Sequence, residues 1–147
     1  MKKANGQREE YAIHVRIQLL MMWAALLLLY IYADIFSFYR TGYIHEVMMG
    51  FMGSVTVDQT TLAVAGVLMM VPVLVILAGL FLKARQARFV HIVAAVAYTA
   101  IGVGNLIGET WVYYWVYGVM EICLTIAIAV VAWRWSERKK PSSGKIE

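Results

Sequence analysis

Two carboxylates lie inside apolar, aromatic sequence: Asp34 in "YIYADIFSFYR" and Glu121 in "YYWVYGVMEICLT". Each follows a tyrosine by four residues, Tyr30 before Asp34 and Tyr117 before Glu121, a spacing that puts both partners on one helix face. In hydrocarbon an acid persists only when protonated and hydrogen-bonded, or beside water or a cation. Their neighbours decide what such acids do, and so do the elements that carry them.

Those elements are membrane spans. Hydrophobic residues form 62% of the 147-residue chain and charged ones 15%, against roughly 45–50% and 25% in soluble domains. Four runs are long enough to cross a hydrocarbon core of about 30 Å, which takes roughly 20 helical residues: 17–38, 61–82, 89–107 and 111–133. Backbone groups cannot stay unpaired in lipid, and four segments cannot close a barrel, so each run is predicted helical. The expected fold is all-α, an integral membrane four-helix bundle. Residues 1–16 and 134–147 flank it as polar segments, the latter a basic tail, and 39–60 form its one long loop.

Charge orients the bundle. Twelve of the thirteen basic residues fall before span one, between spans two and three, or after span four; Arg40 alone lies on the other side. The excess of basic residues on cytoplasmic loops predicts that both termini are cytoplasmic. The first run is too long for a signal peptide and lacks a small-residue cleavage pattern, so it is expected to stay as a span. With this distribution the net charge of +4 reads as topology and lipid contact, not nucleic-acid binding.

In the outer loop Ile44, Val47, Met48, Phe51 and Met52 recur at helical spacing, which predicts a short interfacial helix capping the bundle. "SVTVDQT" alternates and reads as extended. Only Gly108, Glu109 and Thr110 separate spans three and four, so these are antiparallel neighbours. Ala100, Gly104 and Gly108 form a small-xxx-small face suited to close packing, including a homodimer.

Register then places the chemistry. Glu121 is ten residues inside Trp111, about 15 Å deep, and Asp34 five inside Tyr39, about 7–8 Å. Spans one and four run oppositely, so Tyr30 matches Glu121 in depth and Asp34 matches Tyr117. Two tyrosine–carboxyl clips are expected, extended by Asn105, Ser37, Tyr114 and Thr125 into a polar seam. The seam residues Tyr30, Asp34, Asn105, Tyr117 and Glu121 are the candidate ligand-binding set, the ligand being an unidentified small molecule. Polar contacts of this kind also serve as interhelical glue.

Other chemistry is poorly supplied. A single cysteine, Cys123, excludes a disulfide framework, a CxxC pair and thiolate clusters. His14 and His91 sit at span ends on one side, but nothing else marks a haem crevice. His45, Glu46, Asp58 and Glu109 match no compact metal spacing. No nucleophile–base pair stands out, so no catalytic residue, metal or cofactor is expected. A non-enzymatic binding bundle ranks first. A proton- or cation-coupled transporter using Glu121 ranks second, and a membrane enzyme third.

The stretches "RIQLLMMW", "YIYADIFSFYRTGYI" and "YYWVYGVMEICLT" resemble a family of small bacterial four-span membrane proteins of unknown function. The resemblance implies membrane location and four helices, and it carries no catalytic role. Small multidrug transporters and DoxX-like proteins are similar in architecture only. The former hold their essential glutamate in span one, where this chain has Asp34.

The charge pattern makes a direct prediction. In a chain whose Cys123 is replaced, Ser54→Cys should react with an impermeant thiol reagent added to whole cells, and Ser143→Cys should not. The opposite labelling would invert the topology.

Overall fold

In the computed structural model residues 14–53 and 55–135 are described; the basic N-terminal and C-terminal clusters lie outside them. Four long helices, α1 (Val15–Ser37), α3 (Gln59–Phe81), α4 (Ala84–Leu106) and α5 (Val112–Arg134), each have 23 residues. At about 1.5 Å per residue they reach about 35 Å, and all four are long and apolar enough to cross a membrane. Between α1 and α3 come the six-residue α2 (Tyr43–Met48) and a hairpin of β1 (Phe51–Met52) with β2 (Val55–Thr56). The expected loop helix is therefore real but ends at Met48. Phe51 and Met52 pair with Thr56 and Val55 instead, because Gly50, at φ +85°, breaks the helical path.

The long helices form a closed ring in which α1 and α4 each touch both α3 and α5. One end, called here the loop end, carries α2 and the hairpin. The other, the basic end, carries the α3–α4 turn. The buried face of α1 is Leu19, Trp23, Leu26, Tyr30, Ala33 and Ser37, and that of α5 is Gly118, Glu121, Thr125, Ile128 and Ala132. Both alternate steps of three and four, the spacing that interdigitates nearly parallel helices. Lipid offers no hydrophobic gain for this contact, so close packing must supply it. At Gly118 a Cβ would stand 2.5 Å from Leu106 Cδ2, and at Gly102 3.2 Å from Ile122 Cγ1. These two glycines let α4 and α5 approach. By contrast Ala100, Gly104 and Gly108 are exposed, so the small-residue face lies outside this contact.

The ends of the helices are satisfied by particular side chains. Asp58 Oδ1 accepts from the Thr61 amide at 2.7 Å and caps α3; the same bond holds its carboxyl below the usual carboxylate range. At the basic end Arg16 donates to the carbonyls of Leu80 and Leu82, at 3.3 and 3.2 Å, closing the end of α3. Arg88 donates to Trp133 O at 2.7 Å near the end of α5 and lies over that residue's ring. Cations are favoured at helix C-termini, where carbonyls are unpaired. Helix α4 begins five residues before the predicted Phe89, since Arg85, Gln86 and Arg88 form its first turns. Hydropathy ends at the basic run although the backbone does not.

Pro72 lies buried within α3. Having no N–H, it leaves the Leu68 carbonyl without its intrahelical donor. The Tyr98 hydroxyl of α4 donates to that carbonyl. This account predicts a double-mutant cycle. Tyr98→Phe should lower stability by about 1 kcal/mol, the scale of one interhelical polar contact. In a Pro72→Ala background, where position 72 regains a donor, the loss should largely vanish. Reversible unfolding in mixed micelles measures both; an equal loss in the two backgrounds would show that the hydroxyl acts elsewhere.

Candidate functional site

A cavity of about 660 Å³ opens at the loop end, walled by Asp34, Ser37, Arg40, Tyr43, Glu46, Asn105, Glu109, Trp111 and Tyr114 among others. Deeper in the bundle a chamber of about 60 Å³ is lined by Tyr30, Ala33, Asp34, Leu68, Met69, Tyr98, Ile101, Asn105, Tyr114 and Glu121. Asp34, Asn105 and Tyr114 border both spaces, so the chamber lies directly beneath the cavity. Its lining mixes apolar side chains with the polar Tyr30, Asp34, Asn105, Tyr114 and Glu121, and it is large enough for a few waters.

Of the five candidate residues, four meet here: Tyr30, Asp34, Asn105 and Glu121. Tyr117 does not. Its ring packs against Phe36 of α1 at 6.1 Å, and Tyr114 takes the place beside Asp34. The helical angle explains the exchange. Tyr114, seven residues before Glu121, is rotated about 20° from it, whereas Tyr117, four before, is rotated about 40° the other way. Depth matching alone did not distinguish them.

Neither expected tyrosine–carboxyl clip forms among the described residues. The polar link between α1 and α5 is Ser37 Oγ to Tyr113 Oη at 2.9 Å. Thr125 bonds Thr99 of α4 at 2.9 Å, tying α5 to α4 instead of α1. Glu121 is 7% exposed and has no hydrogen-bond partner among the described residues. Its carboxyl borders the chamber. Asp34 is exposed toward the same spaces.

Tyr98 was not singled out from sequence. Two signals point to it: Pro72 needs a donor from a neighbouring helix, and Tyr98 lies seven residues before Asn105, on nearly the same face. Tyr98 is 3% exposed and tilts against Tyr30 at 6.4 Å. Below them Trp23 meets Tyr98 edge-on at 5.8 Å and donates from Nε1 to His91 Nδ1 at 2.9 Å. That bond puts the imidazole proton on Nε2, which faces Gly79 where a side chain would clash. His14, the other histidine considered for haem, accepts from the Arg16 amide and caps α1. The two histidines thus have separate structural tasks. With Leu19, Leu26 and Ile128 also fully buried, the floor toward the basic end is closed.

The rim is held by one ion pair. Arg40 donates through both terminal nitrogens to Glu109, at 3.2 Å each, and lies 4.9 Å over the Trp111 ring. Glu109 also accepts from the Thr110 and Trp111 amides, at 2.8 and 2.9 Å. The turn between α4 and α5, where Gly108 adopts φ +83°, is wound around this carboxylate. With Asp58 used as a cap and Glu109 paired, the loop acids do not gather. Among the described residues no three His, Cys, Asp or Glu side chains stand where they could share a metal.

Partial burial alone would raise the Glu109 pKa, but the two amides and the guanidinium outweigh it and hold the carboxyl below its ordinary value of 4.5. A lowered folded value adds stability above pH 4.5 that is lost as pH falls through the folded value. The thermal midpoint of the wild type should therefore exceed that of Glu109→Gln at pH 7, and the gap should narrow below pH 4.5. A gap that is constant from pH 7 to pH 3 would exclude this role for the carboxylate.

A model of a family of unknown function, DUF6326, matches residues 9–142. No curated protein and no solved structure matches the chain. The match takes in all four long helices, the rim and both acids of the chamber, and the chain belongs to the DUF6326 family.

Proposed function

We propose that this membrane protein is a non-enzymatic bundle that binds a small molecule in the space running from the loop-end cavity to Glu121. The observation that carries this reading is Glu121 itself. A glutamate more than nine-tenths buried as a residue, its carboxyl unpartnered among the described residues, borders a chamber of mixed polar and apolar lining beneath a much larger open cavity. A group used only as glue would be bonded to a neighbouring helix, whereas a ligand site leaves polar atoms free to converge on its occupant. Tyr30, Asp34 and Asn105 complete the lining.

The orientation proposed with it has the loop end outside and the basic end in the cytoplasm of a bacterium. The clustering of Arg16, Lys83, Arg85, Arg88 and Arg134 at one end, with Arg40 alone at the other, supports it. A coupled transporter would use the same acid. It would also need a route to the cytoplasm, and the closed floor of Trp23, His91 and Ile128 favours binding over transport.

Sided labelling tests both readings. In a Cys123→Ala background, Glu121→Cys should react with a small charged methanethiosulfonate added from the loop side. Adding Gly104→Trp should slow that reaction at least tenfold. Position 104 borders the cavity, and a Cβ there meets nothing within 4 Å, so a side chain can be attached without a clash at its base. Equal labelling from the basic side would replace the binder with a transporter. Labelling no faster than at Ile128→Cys, a sealed position, would remove the site.

A further inference from the structure

We infer that the occupant of this site is a small organic cation, an amine carried on an apolar or aromatic body. The inference rests on the binding-site reading above and names its ligand class. Charge is the first argument. Four acids border the two spaces, Asp34, Glu46, Glu109 and Glu121, and the one basic residue among the lining residues is Arg40. Arg40 is already paired: both terminal nitrogens donate to Glu109 and its guanidinium carbon lies 4.9 Å over the Trp111 ring. Its charge is offset by Glu109, which leaves Asp34, Glu46 and Glu121 with no basic partner among the lining residues. A cleft lined by one sign of charge between low-dielectric walls concentrates ions of the opposite sign. An anionic ligand would meet an excess of acids and, in Arg40, a cation already paired with Glu109.

The second argument is the end of the path. Glu121 is buried, unpartnered among the described residues and borders the chamber. Beside it stand the rings of Tyr30, Tyr98 and Tyr114. Tyrosine faces attract ammonium groups, and tyrosine hydroxyls accept from them. An amine can therefore donate to Glu121 and Asp34 while its methylene groups touch the rings.

Size and donor type narrow the class further. The chamber, at about 60 Å³, admits an ammonium head and little more. The cavity above, about 660 Å³ and bordered by Trp111, Tyr43 and Met52, has room for a ring or short chain. A divalent metal is a poor alternative, since among the described residues no three suitable ligands converge.

Calorimetry on the purified full-length chain in detergent at pH 7 tests this with three probes that share one body: benzylamine, benzyl alcohol and benzoate. Benzylamine should bind at least tenfold more tightly than benzyl alcohol, and benzoate should not bind. Asp34→Asn and Glu121→Gln should each weaken benzylamine at least tenfold and benzyl alcohol by a much smaller factor. Asp34 is exposed to the cavity, so its amide variant remains informative even if Glu121→Gln folds poorly. Benzyl alcohol or benzoate binding as tightly as benzylamine would overturn the cation inference and leave the site standing. So would the absence of all binding when Glu121→Cys is still labelled from the loop side. If that position is also sealed, the site and its ligand class fall together.

Discussion

Inside a bilayer no water is at hand for a backbone carbonyl that loses its donor, and much of this bundle is arranged around that constraint. Pro72 removes one donor from α3, and Tyr98 must lie opposite Leu68 to replace it. That contact sets α4 against α3 and turns the Tyr98 ring toward Tyr30 and Trp23. The walls and floor of the chamber follow. At the basic end the same need brings Arg16 to the end of α3 and Arg88 to the end of α5. The arginines that mark topology in the sequence are thus also caps that tie helices together in pairs.

Polar side chains follow a different economy. Ser37, Tyr113, Thr99 and Thr125 find each other and act as glue between helices. Arg40 and Glu109 satisfy each other at the rim, where the carboxylate also organises the α4–α5 turn. Glu121 stands apart from both groups. It sits on the buried face of α5 at a position that spacing alone would assign to the core. There the helices leave a small gap beside it and do not close. A buried acid held open to a cavity is a feature of sites more than of scaffolds.

The structure is asymmetric along its axis. Toward the basic end, Leu19, Trp23, His91 and Ile128 are packed without exposure, and Gly79 makes room for the imidazole. Toward the loop end, the helices part around Asp34, Asn105 and Tyr114. Small residues set the approach of α4 and α5 at Gly102 and Gly118, yet Gly104, two residues on from Gly102, borders the cavity. One helix therefore packs tightly on one face and yields space on another.

Much of this was legible in the linear chain. Four apolar runs can only be helices in lipid, and the "GET" turn can only place α4 beside α5, because both follow from length and from the ban on unpaired backbone. The levels of Asp34 and Glu121 along their helices, and the match of Tyr30 with Glu121, follow from a fixed rise per residue. Rotation about each helix axis was not legible, since side chains within a turn differ by tens of degrees and only contact with neighbours selects among them. Hence Tyr114 stands beside Asp34 in place of Tyr117, and Thr125 bonds to α4 instead of α1. Cavities were not legible either, for an empty space is a property of how four surfaces fail to meet. Sequence determined which residues lie at each depth; tertiary packing decided which of them face one another, because rotation and gaps are set by contacts between helices and not within them.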